Sequence, residues 1–132
     1  MLCQISLGQS KKQETYRSYK SKSSVSNPGR LLNEASDVKS ANPSLALDKV
    51  QEALAMSVAD GNNFNEAKCY MLIGEINEQI TEWNLVRENY LKAYQILSVN
   101  YPARPEYAKV LSGLGRANLK LSDYQEALKY FE

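Results

Sequence analysis

From Leu31 to the end of the chain, apolar residues recur at the three- and four-residue spacing of amphipathic helices, interrupted by short groups of breakers. The breakers fall at Ala41 to Pro43, Asp60 to Asn63, near Thr81 to Trp83, across Asn100 to Pro105 and at Leu121 to Asp123. They predict about six helices, over 30–40, 44–59, 64–80, 84–98, 105–121 and 124–132. Asn42 or Pro43 suits the start of the second, since a proline in a first turn gives up an N–H that has no intrahelical partner. Asp123 is the expected N-cap of the last. No stretch alternates as a strand does, so the predicted fold class is all-α.

The helices resemble one another. Ala46, Val50 and Ala53 of the second match Val86, Tyr90 and Ala93 of the fourth at 40 residues, and Val86 and Tyr90 match Ala127 and Phe131 of the sixth at 41. Tyr70, Ile73 and Gly74 of the third likewise match Leu111, Leu114 and Gly115 of the fifth at 41. Small residues seven apart share one helix face and allow close approach, and a larger residue between them fills the gap. A glycine inside a helix costs about 1 kcal/mol against alanine, so two in equivalent places predict helices packed tightly against them. A repeating unit of two antiparallel helices follows.

Residues 1–29 have a different character. Gln9 to Pro28 is rich in Ser and Lys with almost nothing aliphatic, too little to offset the entropy of ordering, and reads as a flexible basic lead-in. Ser10 to Arg30 holds six basic residues against Glu14, a local charge of +5, and the whole chain is +1, which leaves −4 for the remainder. Tyr16 to Lys22 reads as a solvated tail in preference to a surface for an acidic partner. Met1 to Ser10 reads in two ways, as a disordered start or as the remnant of a secretory signal with a cleavage site near Ser6 and Gly8. A signal remnant favours an extracytoplasmic, periplasmic location over a cytoplasmic one.

Composition argues against chemistry. Histidine is absent, which removes the commonest general base and the imidazole metal ligand. Cys3 and Cys69 allow at most one bridge and do not report the redox compartment. No phosphate-binding glycine loop, metal spacing or nucleophile elbow occurs, so no catalytic residue, cofactor or metal ion is expected. Glu75 and Glu78, three apart, read as surface acids rather than an acid–base pair. Tyr70, Trp83, Tyr90, Tyr94, Tyr107, Tyr124, Tyr130 and Phe131 fall mostly at packing positions with no basic stripe beside them, so they predict core and not a nucleic-acid stacking surface. No apolar run reaches the roughly 18 to 20 residues of a membrane-spanning helix.

The stretch from Leu111 to Phe131 resembles a unit of the tetratricopeptide repeat family, with Leu111, Leu114, Gly115, Ala127 and Phe131 at the signature packing positions. The middle unit keeps Tyr70, Ile73, Gly74, Tyr90 and Ala93, with Val86 where the family prefers Ala; Asn77 and Asn118 stand where it usually has Tyr. The first unit fits in its second helix but has Glu34 in place of Gly, as a more polar terminal helix of a solenoid would. The resemblance implies a right-handed superhelix of antiparallel pairs in a domain over 30–132, with units at about 30–62, 63–103 and 104–132, the last one truncated. A unit of about 40 residues exceeds the family's usual 34 and is similar to the arrays of bacterial two-component sensor kinases and related regulators.

In such arrays the first helix of each pair lines a concave groove. The resemblance assigns to it Lys68, Met71, Glu75, Glu78 and Gln79 of the middle unit and Lys109, Ser112, Arg116, Leu119 and Lys120 of the last. Mixed charge beside apolar side chains suits a protein or peptide partner. Met71 and Glu75 occupy places where chaperone-tail clamps carry Lys and Asn, which opposes that ligand. The resemblance thus implies a non-enzymatic binding scaffold. Two settings fit it: the extracytoplasmic sensory or docking segment of a larger signalling protein, of which this chain is a fragment, or a cytoplasmic peptide-responsive regulator of transcription.

Overall fold

The computed structural model describes residues 27–122 and 124–131. Among them every regular element is a helix: α1 Pro28–Val38, α2 Pro43–Ala59, α3 Asn63–Gln79, α4 Trp83–Asn100, α5 Pro105–Lys120 and α6 Tyr124–Phe131. The boundaries follow local chemistry. Asn27, Asn42 and Asn62 each accept a hydrogen bond from a backbone N–H three residues on, at 2.8, 3.1 and 3.0 Å, and so satisfy an orphan donor of the first turn. Pro28, Pro43 and Pro105 open α1, α2 and α5. The first helix thus starts two residues before the expected boundary at 30, because Asn27 and Pro28 form a complete start signal. The expected cap Asp123 and the lead-in over 1–26 lie outside the described residues.

Helix ends recur as well. Gly61, Thr81 and Ser122 follow α2, α3 and α5 in the left-handed backbone region, with φ of 67, 59 and 64°. Their N–H groups reach back to carbonyls of Val58, Glu78 and Leu119 at 3.1 Å each. The next N–H closes a wider loop after α2 and α3, from Asn62 to Ser57 at 2.9 Å and from Glu82 to Asn77 at 3.0 Å. Thr81 and Ser122 stand 41 residues apart, so the repeat extends to backbone conformation.

Short connections lay each helix against the next, and α1 also touches α3, as α3 touches α5. Two apolar cores result. The first gathers Leu31, Leu32 and Ala35 of α1, Ala46, Val50, Ala53 and Met56 of α2, and Cys69, Leu72 and Ile76 of α3. The second gathers Ala67 and Met71 of α3, Val86, Tyr90, Ala93 and Leu97 of α4, and Val110, Leu114 and Ala117 of α5. Helix α3 therefore belongs to both. Glu34, where a glycine is expected, bridges α1 to α2 by accepting from Lys49 Nζ at 2.9 Å, with Arg30 Nε at 3.0 Å on the same carboxylate. No helix among the described residues is long and apolar enough to cross a membrane.

Repeat-packing positions behave unequally. Those of α2 and α4 (Ala46, Val50, Ala53, Val86, Tyr90, Ala93) are all buried, as are Gly74, Leu114 and Gly115, whereas Tyr70, Ile73 and Leu111 are half-buried. Phe131 lays its ring on Gly115 yet remains 49% exposed. Ala127 lies in α6, and its side chain is outside the described set. Asn77 and Asn118, at positions where the family resemblance expects Tyr, are buried; Asn118 Oδ1 accepts from Arg87 Nη1 at 3.4 Å. Of the aromatics, Tyr94 stacks on Tyr107 with centroids 6.0 Å apart and meets Tyr130 edge-on at 5.8 Å.

Candidate functional site

Helices α3 and α5 lie side by side and face one way, and between them runs a groove of about 620 Å3. Positions 78 and 79 of α3 fall three and four residues after 75, itself four after 71, hence on one face, as 109, 112 and 116 are on one face of α5. The two sets form opposite walls. The α3 wall presents the acceptors Glu75 and Glu78 with Gln79, whose amide donates to Ser40 Oγ at 3.4 Å, and the α5 wall presents Lys109, Ser112 and Arg116, all able to donate. Met71 and the Tyr90 ring line the groove from the core side, both almost wholly buried.

Ion pairs fix the spacing of the walls. Arg116 grips Glu78 with two bonds, Nη2 to Oε1 at 2.9 Å and Nε to Oε2 at 3.3 Å, which ties α5 to α3. The fork of a guanidinium matches a carboxylate, so this contact sets orientation as well as distance. Tyr90 Oη donates to the same Glu78 Oε1 at 2.8 Å, adding α4 to the junction. On the other side, Lys39 Nζ donates to Glu75 Oε2 at 2.8 Å and ties the end of α1 to α3. Each of the two acids is thus held by a cation from a different neighbouring helix.

Burial pushes the Tyr90 phenol well above its usual value, and the hydrogen bond to Glu78 and the negative charges of Glu78 and Glu75 push the same way. The bond to Glu78 also holds the Arg116 guanidinium more firmly charged. Tyr90 therefore stays a neutral phenol and Arg116 a guanidinium across neutral pH.

A second hollow of about 350 Å3 adjoins the first and shares Met71, Glu75 and Lys109 with it. Lys68 lines this part together with Glu106 and Asn33, and its ammonium lies 5.7 Å from the Phe64 ring centroid. Eight of the ten groove residues expected from sequence therefore line one continuous depression. Leu119 and Lys120 do not. Leu119 is exposed beyond the groove end, and Lys120 turns to the Trp83 ring, 5.7 Å from its centroid, where cation and aromatic face attract. Sequence reasoning missed Lys39, which sits in the turn after α1, and the double role of Tyr90 as core residue and groove wall. Lys39 carries no repeat signal; the spacing of Tyr90 from Glu78 does not place the two on one helix face.

Opposed rows of donors and acceptors over an apolar floor suit a polypeptide segment, whose backbone needs polar contacts on both edges and whose side chains need apolar ones. No protein-family model matches the chain, and no curated protein or solved structure matches it.

Proposed function

We propose that this chain is a tetratricopeptide-type repeat segment, wound as a right-handed superhelix of helix pairs, that binds a protein or peptide in the groove along α3 and α5. One observation carries the binding reading: a donor wall and an acceptor wall, braced by the Glu78–Arg116 and Lys39–Glu75 pairs, enclose an open depression floored by Met71 and Tyr90. The repeat assignment is supported by features that recur 41 residues apart: glycines 74 and 115, each beneath an aromatic ring from the next helix, and the left-handed turns at Thr81 and Ser122. The same reading makes the chain a sensory or docking segment of a larger signalling protein. Mass spectrometry of the native product tests the exported location, which an unprocessed N-terminus would remove.

The binding test is site-specific photo-crosslinking in the native host. A photoreactive residue at Ser112, in the groove, should trap a defined protein or peptide, whereas one at Val99, exposed on α4, should not. Lys109→Glu should abolish the product at Ser112. Identical products at both positions would refute the groove as the binding site.

A further inference from the structure

Three apolar side chains stand out to solvent near the C-terminal end of the fold: Leu119 of α5 and Leu128 and Phe131 of α6, at 42, 60 and 49% exposure. Each has a counterpart 41 residues earlier, and all three counterparts touch the following helix pair. Leu119 corresponds to Glu78, which is gripped by Arg116 of α5. Leu128 corresponds to Arg87, which donates to Asn118 of α5. Phe131 corresponds to Tyr90, whose ring lies 2.6 Å from where a Cβ on Gly113 of α5 would stand, and which is only 2% exposed. The surface around these three residues is therefore the face that, one unit earlier, receives α5.

The earlier interfaces also show what the occupant must present. Val50, the counterpart of Tyr90 in α2, shares its core with Leu72, and Leu72 is the counterpart of Gly113. A small residue on the second helix goes with a large one on the incoming helix, and a large one with none at all, as close packing at constant volume demands. Phe131 is large. The two polar partners of the earlier interface are replaced by Leu119 and Leu128, so the places matching Arg116 and Asn118 should be apolar.

We infer that the outer face of α5 and α6 is a docking surface for a partner helical hairpin. The incoming helix sets a glycine or alanine on the Phe131 ring and carries apolar residues three and five positions further on, against Leu119 and Leu128. Exposed apolar side chains of this size gain by such cover, and continuity with the α4–α5 interface fixes its geometry.

The test supplies the occupant. Lys92 to Glu132, one 41-residue unit, is duplicated after Glu132 of the full chain so that the register is kept, and the appended copy carries Arg116→Leu and Asn118→Leu to match Leu119 and Leu128. This extended chain should melt at least about 4 °C above the original, independently of concentration. Adding Gly113→Leu to the appended copy should remove the gain, and combining it with Phe131→Val in the parent part should restore much of it, reproducing the Val50 and Leu72 pairing. Equal melting temperatures for the matched and Gly113→Leu versions would overturn the inference. So would a dimer of the original chain in sedimentation analysis that Phe131→Asp abolishes, because a second copy would then be the occupant.

Discussion

The ring of Tyr90 lies 3.0 Å from the point where a Cβ on Gly74 would stand, and 2.6 Å from the corresponding point on Gly113. One aromatic from α4 is held between glycines of the two helices that flank it.

Gly113→Ala should therefore destabilise the fold, even though alanine is the better helix former by about 1 kcal/mol. Its methyl would meet ring atoms at 2.6 to 2.9 Å, and overpacking of this kind costs about 1–3 kcal/mol. Gly74→Ala, at 3.0 to 3.1 Å, should lose less, and leucine at either position more. A Gly113→Ala chain that melts at or above the original temperature would show that the ring is free to move.

Glu78 is shared by Tyr90 and Arg116, so their contributions should be coupled. Tyr90→Phe alone removes a hydrogen bond worth about 1 kcal/mol. Arg116→Met alone should cost less than that, because the guanidinium is half exposed and solvent screens the pair. Together they leave a half-buried carboxylate with neither partner, and the loss should exceed the sum of the two. A double-mutant cycle in urea measures the excess; strict additivity would mean that the contacts act independently.

Thr81 holds a left-handed conformation that a β-branched side chain adopts at a cost of about 1–2 kcal/mol. Glycine removes that strain but adds freedom to the unfolded chain, which returns about 0.5–1 kcal/mol. Thr81→Gly should thus raise the melting temperature slightly, and Ser122→Gly should do so less, serine being unbranched. A lower melting temperature for Thr81→Gly would mean that the threonine hydroxyl, which donates to the Ile80 carbonyl at 2.7 Å, matters more than the backbone.

Alkaline pH should unfold the chain through its buried acids. Burial pushes the Cys69 thiol up to about 12 from an ordinary 9.0, with the Ser57 hydroxyl opposing in part. The unfolded state therefore gives up this proton first, and stability present below about pH 9 is lost steadily as pH rises toward 12. Tyr90, also raised, adds to the loss above its ordinary value of 10.0. Melting temperatures measured from pH 7 to 11 should fall along this limb, and the fall should be shallower in Cys69→Ala. Parallel curves for the two proteins would contradict the assignment.

Much of the fold is legible in the order of residues because helix breakers and small residues act locally. Asn42 with Pro43, and the order of Ala46, Val50 and Ala53 or of Val86, Tyr90 and Ala93, each with its largest residue in the middle, carry their meaning within one or two turns. The one-residue shift in α3 and α5, where Cys69, Leu72, Ile76 and Val110 are buried while Tyr70, Ile73 and Leu111 are only partly so, is set by which neighbour each face meets. Gly113 escaped notice because its counterpart is Leu72: matching letters find positions that stay the same, and here the packing is kept by a change. The turn at Thr81 carries no glycine or asparagine to announce it. Groove residues came from the family resemblance, which agrees with the lining from Lys68 to Arg116 and departs from it at Leu119 and Lys120.

Every helix among those described touches only the helices one or two places away in the chain. Contacts so close in sequence close short loops, which favours rapid folding. They also give the order of synthesis a structural meaning. Once α3 has emerged, the first core is complete, with no residue beyond Ile76 required for it. The second core then assembles upon a helix already in place, so that α3 serves as the template on which the rest of the chain is laid down.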